Sequence, residues 1–458
     1  VMYAYGTLNY LEYSRTIFFL GDMASETMTT KSDASADNQD LNNWKVGNFK
    51  TNGSLENFFK YAFIGVNRAN AVIKKVPDAG FSQEQKDLFL GEAYFLRAWN
   101  YFNLVRNFGL VPLHKSVVET VDQTSTALAP DMDAMYDLIL SDCRRAAELL
   151  PVYETPKIGR ADRVAAQALA AKAYLYVASA KEHGVKLYRD MHRDATVMYD
   201  SAAYFAGEVI EKQSVYGFES SLLDIYDVEK ARGKEHIFIM AMDRSGSSEG
   251  QYSKISKMFI PYIDGATLYL KQGDKDEYIP THDGWGEYQT TVAFYNTFDA
   301  SDKRKTELIV DKVYKADGTL LGEYPGKIPY PFCRKYIDPK FEGDKTSTRP
   351  FLLRFSDVAL IYAEAAGPTA KAYELVNFIR SRAGLGDMKP NLGKDEFRRE
   401  ILKERTFELA FEGDHVYDLR RWNRITTDVP EAAGLSEDQV TFYPIPQAEI
   451  NLNGSLRP

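Results

Sequence analysis

The chain has little of what usually carries chemistry. Among 458 residues there are two cysteines, Cys143 and Cys333, too few to frame a disulfide-stapled fold. The six histidines (His114, His183, His192, His236, His282 and His415) form no His-Glu-x-x-His, and none stands at metal-ligand spacing from a cysteine. A Walker loop and a dinucleotide fingerprint are both missing. No stretch of 18 apolar residues occurs, so no segment reads as a membrane-spanning helix. Positive charge is not in excess either. With 56 basic against 65 acidic side chains the formal net charge is -9, which argues against nucleic acid as a main partner. Acidic pairs for glycoside hydrolysis can be drawn from so many carboxylates, but abundance is not evidence. The reading is a non-catalytic protein.

What the chain has in quantity is aromatic side chains: 30 Tyr, 26 Phe and 4 Trp. Most belong in a core. Such an excess of Tyr also suits a carbohydrate face, where rings cover sugar C–H surfaces and hydroxyls reach sugar oxygens. The length allows a large core, as one irregular domain or two to three compact ones. The chain opens at Val1-Met2-Tyr3-Ala4-Tyr5, already in an apolar pattern, and reads as part of a longer precursor.

Apolar periodicity predicts helices over 1–20, 55–75, 84–107, 131–150, 161–180 and 195–212. Ser82 with Gln85 makes a capping box, and Gly109 ends the helix that follows. The 161–180 helix presents Ala161, Ala165, Ala168, Ala171 and Ala178, so a partner backbone can come close. A long helix followed by a small-faced one is the general form of a tetratricopeptide-like hairpin, although the full consensus is missing. Residues 27–54 are polar and read as a long loop. Trp44 within it either tucks into the core or waits for a ligand. Its neighbour Asn43 has an amide suited to sugar hydroxyls.

Residues 213–350 differ in character, with one short strand over 237–240 between polar loops. Long ordered loops of this kind are usually functional. Trp285 and Tyr288 stand in Thr281-His282-Asp283-Gly284-Trp285-Gly286-Glu287-Tyr288, where flanking glycines let a ring project; packing inside is the competing reading. Tyr262 and Tyr269 flank Asp264-Gly265, and Tyr330 follows Pro329. These seven residues are the ligand-binding candidates, whereas Trp99 and Trp422 are expected in the core. Asp274, Asp276, Glu277 and Asp283 lie close together, but Ile279 and Trp285 occupy the positions where an EF-hand loop needs Gly and Glu. A structural calcium outside that pattern is left open, and no other cofactor is expected. Helices resume at 352–366 and 369–383. The expected division is a helical arm over 1–212, an irregular region over 213–350 and a second helical arm over 351–458.

The most informative stretch is Ile401 to Trp422, ILKERTFELAFEGDHVYDLRRW. Its helix places Glu404, Arg405, Glu408 and Glu412 beside Leu402, Phe407, Leu409 and Phe411, and Gly413 is expected to stop it. Asp418, Arg420 and Arg421 then lie among Val416, Tyr417, Leu419 and Trp422. A solvated charge run is not laced this way, so partly buried ion pairs are expected, with Arg405, Arg420 or Arg421 serving the glutamates.

This string resembles the C-terminal signature of the SusD/RagB family, on Glu404-Arg405, Glu408-Leu409, Glu412-Gly413, Asp418-Leu419, Arg421-Trp422 and Tyr443-Pro444-Ile445-Pro446. Two further blocks share the resemblance: Glu92 to Leu113, which includes Arg97, and Asn377 to Leu385. The usual Arg after Glu-Gly-x is His415 here, which weakens one expected ion pair. The resemblance implies a mainly α, SusD-like fold: a tetratricopeptide-like hairpin scaffold around an irregular middle with short strands. It also implies structural ion pairs through Arg97, Glu404, Arg405, Glu408, Glu412, Asp418 and Arg421. In function it implies a glycan-binding lipoprotein on the extracellular face of the outer membrane. A signal peptide and a lipid-modified cysteine would precede this chain, and the partner would be a SusC-like TonB-dependent transporter. Two alternatives stay open: a RagB-type capture protein for peptides or another nutrient, and a helical-repeat scaffold with no small ligand.

Overall fold

The computed structural model describes residues 1–230 and 233–456, with the backbone alone at 11–14. Local capping explains where most helices begin. Asn52 accepts from Ser54 N and Leu55 N to start Gly53–Lys75. Ser82 and Gln85 form the reciprocal box that starts Gln83–Phe108, and Gly109, at φ +69°, follows its last turn. Aspartates 131, 162 and 194 cap Met132–Leu149, Arg163–Glu182 and Ala195–Glu211 by accepting from Ala134 N, Ala165 N and Val197 N. Each of these helices packs on its successor. The alanines of Arg163–Glu182 are buried, which lets Ala195–Glu211 lie close. Phe355–Ala366 then packs on Ala195–Glu211, so the C-terminal helices join the N-terminal ones in one frame.

The first predicted helix is broken. Met2–Gly6 and Leu11–Phe18 are separate, with the weak helix formers Thr7 and Asn9 between them, and a π turn at Phe19–Met23 follows. Residues 27–54 are not the loop expected. They hold a strand (Met28–Thr30), a helix capped by Ser35 (Ala36–Asn42) and a 3-10 turn (Val46–Thr51). Leu41, Trp44 and Phe49 supply enough buried apolar surface to order a polar segment.

The strands are short. Met28–Thr30 pairs antiparallel with Tyr288–Thr290, in the register Met28 to Thr290. His236–Ile239 pairs with Phe351–Arg354, and Ile309–Val310 with Phe332–Cys333. A four-stranded sheet runs in the order Tyr278–Thr281, Leu268–Lys271, Lys312–Tyr314, Leu320–Glu323.

The ion-pair candidates lie inside the frame, and the three glutamates take partners from elsewhere in the chain. Glu404 meets Arg304 at 2.6 Å and Arg380 at 3.0 Å. Glu408 meets Arg354 at 3.0 Å and Arg382 at 2.7 Å. Glu412 meets Lys335 at 2.7 Å and Arg354 at 3.0 Å. Arg405 reaches Asp357 and Asp418, each at 2.8 Å, and Arg421 reaches Asp418 at 2.8 Å and Glu364. Arg97 takes Asp142 at 2.7 Å. Burial alone would raise the Glu408 carboxyl, yet Arg382, Arg354 and Arg304 hold it at about 2. Arg420 takes no carboxylate among the described residues; it donates to the Arg106 carbonyl at 3.2 Å and lies over the Tyr443 ring. Arg405 and Arg421 thus pair within the stretch, through Asp418, but neither they nor Arg420 serve Glu404, Glu408 and Glu412, which corrects that part of the expectation. Helical spacing puts the glutamates on the inward face, where arginines from 304, 354, 380 and 382 converge.

Gly413 does not stop the helix either. Lys394–Glu408 ends five residues earlier, with Phe411 at φ +66° in the turn. At φ +82°, Gly413 instead admits a close approach: a Cβ on Gly21 would stand 1.9 Å from the Gly413 carbonyl oxygen. Asp22 fastens this crossing by accepting from Gly413 N at 2.6 Å.

Candidate functional site

The candidate site is built on the segment between Tyr278–Thr281 and Tyr288–Thr290. Its two glycines are required by space. A Cβ on Gly284 would come 2.0 Å from the Ile260 carbonyl oxygen, and one on Gly286 would come 2.4 Å from the Tyr330 hydroxyl. The loop is clamped to residues 257–261 by Trp285 N to Lys257 O at 2.7 Å, Gly286 N to Ile260 O at 2.9 Å and Gly284 N to Pro261 O at 3.0 Å. Trp285 cannot sink inward past this backbone. Its residue surface stays 39% exposed.

Charged groups surround the indole. Lys254 Nζ lies 5.7 Å and Lys257 Nζ 5.6 Å from the ring centroid. Lys257 pairs with Asp344 at 2.5 Å, and its hydrogen bond holds that carboxyl below the usual range. Lys254 also faces Glu249 at 3.8 Å, and Glu249 pairs with Arg15 at 2.5 Å. Tyr252 is half-buried, 6.0 Å from Lys254 and 5.1 Å from Lys345. Tyr262 follows Pro261, the residue that holds Gly284, and is 69% exposed. The result is a projecting aromatic surface ringed by donors and acceptors. That combination lays a ring against a sugar face and meets its hydroxyls at the edges.

The other candidates fall elsewhere. Trp44 is 3% exposed. Its Nε1 donates to the Ala24 carbonyl at 3.1 Å, and the ring stacks on Tyr443 at 6.3 Å. The indole is fully used by the core and offers a ligand nothing. Tyr288 is buried among Phe18, Phe19 and Phe259, and Tyr330 lies beneath Gly286 as support. Alternation along Tyr288–Thr290 sends Tyr288 inward, opposite Thr30. Tyr269 is half-buried in the four-stranded sheet, opposite Tyr314. Asn43 is exposed, but its amide donates to Gln39 O at 2.7 Å. The Ala36–Asn42 helix nevertheless borders the Trp285 loop, through Asn38 Nδ2 to Glu287 Oε1 at 3.1 Å. Trp99 and Trp422 are buried.

Sequence reasoning missed Tyr252, Lys254, Lys257 and Asp344. The lysines sit three residues apart around one short helix, Ile255–Phe259, a spacing too common to signal anything. For the cation expectation, Asp283 accepts from Gly265 N at 2.9 Å and Asp276 from the Tyr278 hydroxyl at 3.1 Å. Among the described residues no three His, Cys, Asp or Glu side chains converge as a ligand set. Cys143 and Cys333 are both buried and unpaired with each other.

Comparison with known proteins places this geometry in context. Residues 314–440 match the model described as SusD family, and residues 8–175 match one described as starch-binding associating with outer membrane. A SusD-like protein P2 from Formosa agariphila is 26% identical over 477 aligned residues, covering 97% of this chain and 86% of its own. A solved laminarin binding SusD-like protein superposes with TM-score 0.79 at 25% identity, covering 99% of this chain and 96% of that one. A SusD superfamily protein from Parabacteroides distasonis gives TM-score 0.79 at 20% identity, covering 99% and 97%.

Proposed function

The chain belongs to the SusD family, and from that premise we propose that it captures an oligo- or polysaccharide at the cell surface and passes it to a SusC-like TonB-dependent transporter. The observation that carries this reading is Trp285, held outward by a clamped two-glycine loop, with Lys254 and Lys257 over its ring and Asp344 paired to Lys257. An exposed ring of this kind holds a sugar by shallow contact, so the ligand leaves readily. That suits capture and handover better than storage. The protein binds rather than cleaves, a reading supported by its likeness to a laminarin binding SusD-like protein.

Outer-membrane association follows the family description, and we place the chain on the extracellular face, held by a lipid on a cysteine upstream of the residues described. Within the chain, recognition is assigned to loops of 213–350 bordered by the 27–54 segment, on a scaffold formed by the helices on either side.

Intrinsic tryptophan fluorescence tests the reading. Trp44, Trp99 and Trp422 are buried, so Trp285 is the indole a soluble glycan reaches. A saturable change with one polysaccharide of a panel that begins with laminarin, without new reducing ends, is the expected result. A response to peptides and to no glycan would move the assignment to peptide capture. New reducing ends from the pure protein would sink the binding-only assignment.

A further inference from the structure

A second cavity lies apart from Trp285. It has a volume of about 200 Å³ and is lined by Arg334, Gln272, Asp227, Ile279 and Leu308 among others. Arg334 directly follows the short strand Phe332–Cys333, and its backbone N–H donates to the Leu308 carbonyl at 2.9 Å. The residue is only 7% exposed. Its guanidinium donates to the Lys271 carbonyl through Nη1, and among the described residues no carboxylate comes within the 4.0 Å of an ion pair.

This sets it apart from Arg304, Arg354, Arg405 and Arg421, each of which meets one or more carboxylates. Its Nε and Nη2 find no protein acceptor among the described residues and are not sealed from water, so they are left to whatever fills the cavity. Burial draws its pKa down to about 10, and the charge of Glu307 offsets this only in part. The cavity therefore has a fixed cation at one wall, apolar sides, and a wall with hydrogen-bond acceptors. On that wall Asp224 is occupied by Lys230 at 2.7 Å. Among the described residues Asp227 accepts only from the local Glu229 N–H, at 3.0 Å, and has acceptor capacity left.

We propose that this cavity is a separate subsite for a carboxylate-bearing sugar, with a hexuronate as the simplest occupant. The carboxylate takes the free donors of Arg334, in the fork geometry that arginine offers carboxylates. Sugar hydroxyls donate to Asp227 and meet the Gln272 amide. A bare anion gains nothing from Asp227 and is repelled by it, whereas a neutral sugar leaves the guanidinium unpaired. Only a ligand with both groups satisfies both walls. The assignment to a sugar rests on the glycan-capture reading; the need for a carboxylate rests on Arg334 alone.

The test is calorimetric titration of the chain with sodium glucuronate, with glucose as the neutral control and acetate as the bare carboxylate. Glucuronate is expected to bind saturably, at least about tenfold more tightly than either control. Arg334→Gln should weaken it by a similar factor, and Arg334→Lys by less. Asp227→Asn should weaken glucuronate while, by removing a repelling charge, it strengthens acetate, and Trp285→Ala should leave glucuronate binding intact. Thermal melting checks folding, and if Arg334→Gln does not fold, the Lys and Asp227 variants decide. Equal binding of glucuronate and acetate, or undiminished glucuronate binding in folded Arg334→Gln, overturns the subsite. A Trp285 response to a neutral glycan with no glucuronate binding also overturns it, yet leaves the capture role standing. Arg334-dependent glucuronate binding with no Trp285 response to any glycan upholds the subsite and sinks the Trp285 assignment.

Discussion

Arg354 and Glu412 face each other through two hydrogen bonds, Nε to Oε2 at 3.0 Å and Nη2 to Oε1 at 3.1 Å, with the guanidinium almost wholly out of water. The same guanidinium also reaches Glu235 at 2.7 Å and Glu408 at 3.0 Å. It therefore ties the Phe351–Arg354 strand to the end of the Lys394–Glu408 helix and to the residue before strand His236–Ile239.

Removing this cation strands several buried carboxylates at once. Arg354→Met is expected to cost about 3–5 kcal/mol in denaturant unfolding. Glu119→Gln, which breaks the exposed Lys74–Glu119 pair at 2.8 Å, should leave the unfolding midpoint where it is. Equal effects from the two variants would mean that the buried network is not what holds the frame.

The second expectation concerns pH. His415 Nε2 meets Glu26 Oε1 at 2.7 Å. Burial alone would lower the imidazole pKa, but Glu26 raises it, with help from Asp22 and Asp418, to about 9. A raised folded value means that the stabilising contribution is complete below the ordinary value of 6.5 and is lost as pH rises through 9. Asp22 acts in the same sense: burial pushes its carboxyl up to about 7, so its favourable protonated form is lost on the way to neutrality. Stability should fall by on the order of 3 kcal/mol between pH 6.5 and 9.5. His415→Arg, which keeps the charge, should flatten that slope, and urea midpoints across the window would reveal it.

A third variant separates presentation of the ring from folding. Gly284→Ala puts a Cβ 2.0 Å from the Ile260 carbonyl oxygen, so the loop has to lift. Fluorescence emission should shift and the glycan response should disappear, while circular dichroism stays native. Gly47→Ala meets nothing within 4 Å and serves as the control.

Trp285→Ala should remove the glycan-induced fluorescence change and weaken binding about tenfold or more, since an aromatic anchor dominates a shallow site. Tyr262→Ala should weaken binding less. Trp44→Phe should change stability and leave affinity alone, because that indole serves Ala24 and Tyr443.

What could be read from the sequence was mostly local. Ser82 with Gln85, Gly109 and the alanine run announce their helices within a few residues, and the structure follows them. The strand near 237 is in place because four apolar residues in a polar context have few other uses. The partners of Glu404, Glu408 and Glu412 were not legible. They lie at 304, 335, 354, 380 and 382, and only the tertiary fold brings these together. Trp44 and Trp285 looked alike, each in a polar stretch. What separates them is Tyr443, far along the chain, which receives one indole, and the 257–261 backbone, which bars the other. Strand pairing with Met28–Thr30 likewise turned Tyr288 inward.

The buried charge network also sets an order of assembly. Arg304, Arg354 and Arg382 emerge from synthesis well before Glu404, Glu408 and Glu412, the acids that neutralise them. Until the last tenth or so of the chain exists, closing the frame would enclose these three cations with only Asp302 and Glu235 against them, which disfavours closure of the nascent chain. The C-terminal stretch thus acts as a completion signal. A chain halted at Asn391 should be readily cut by proteases in the very helices that resist them in the whole protein.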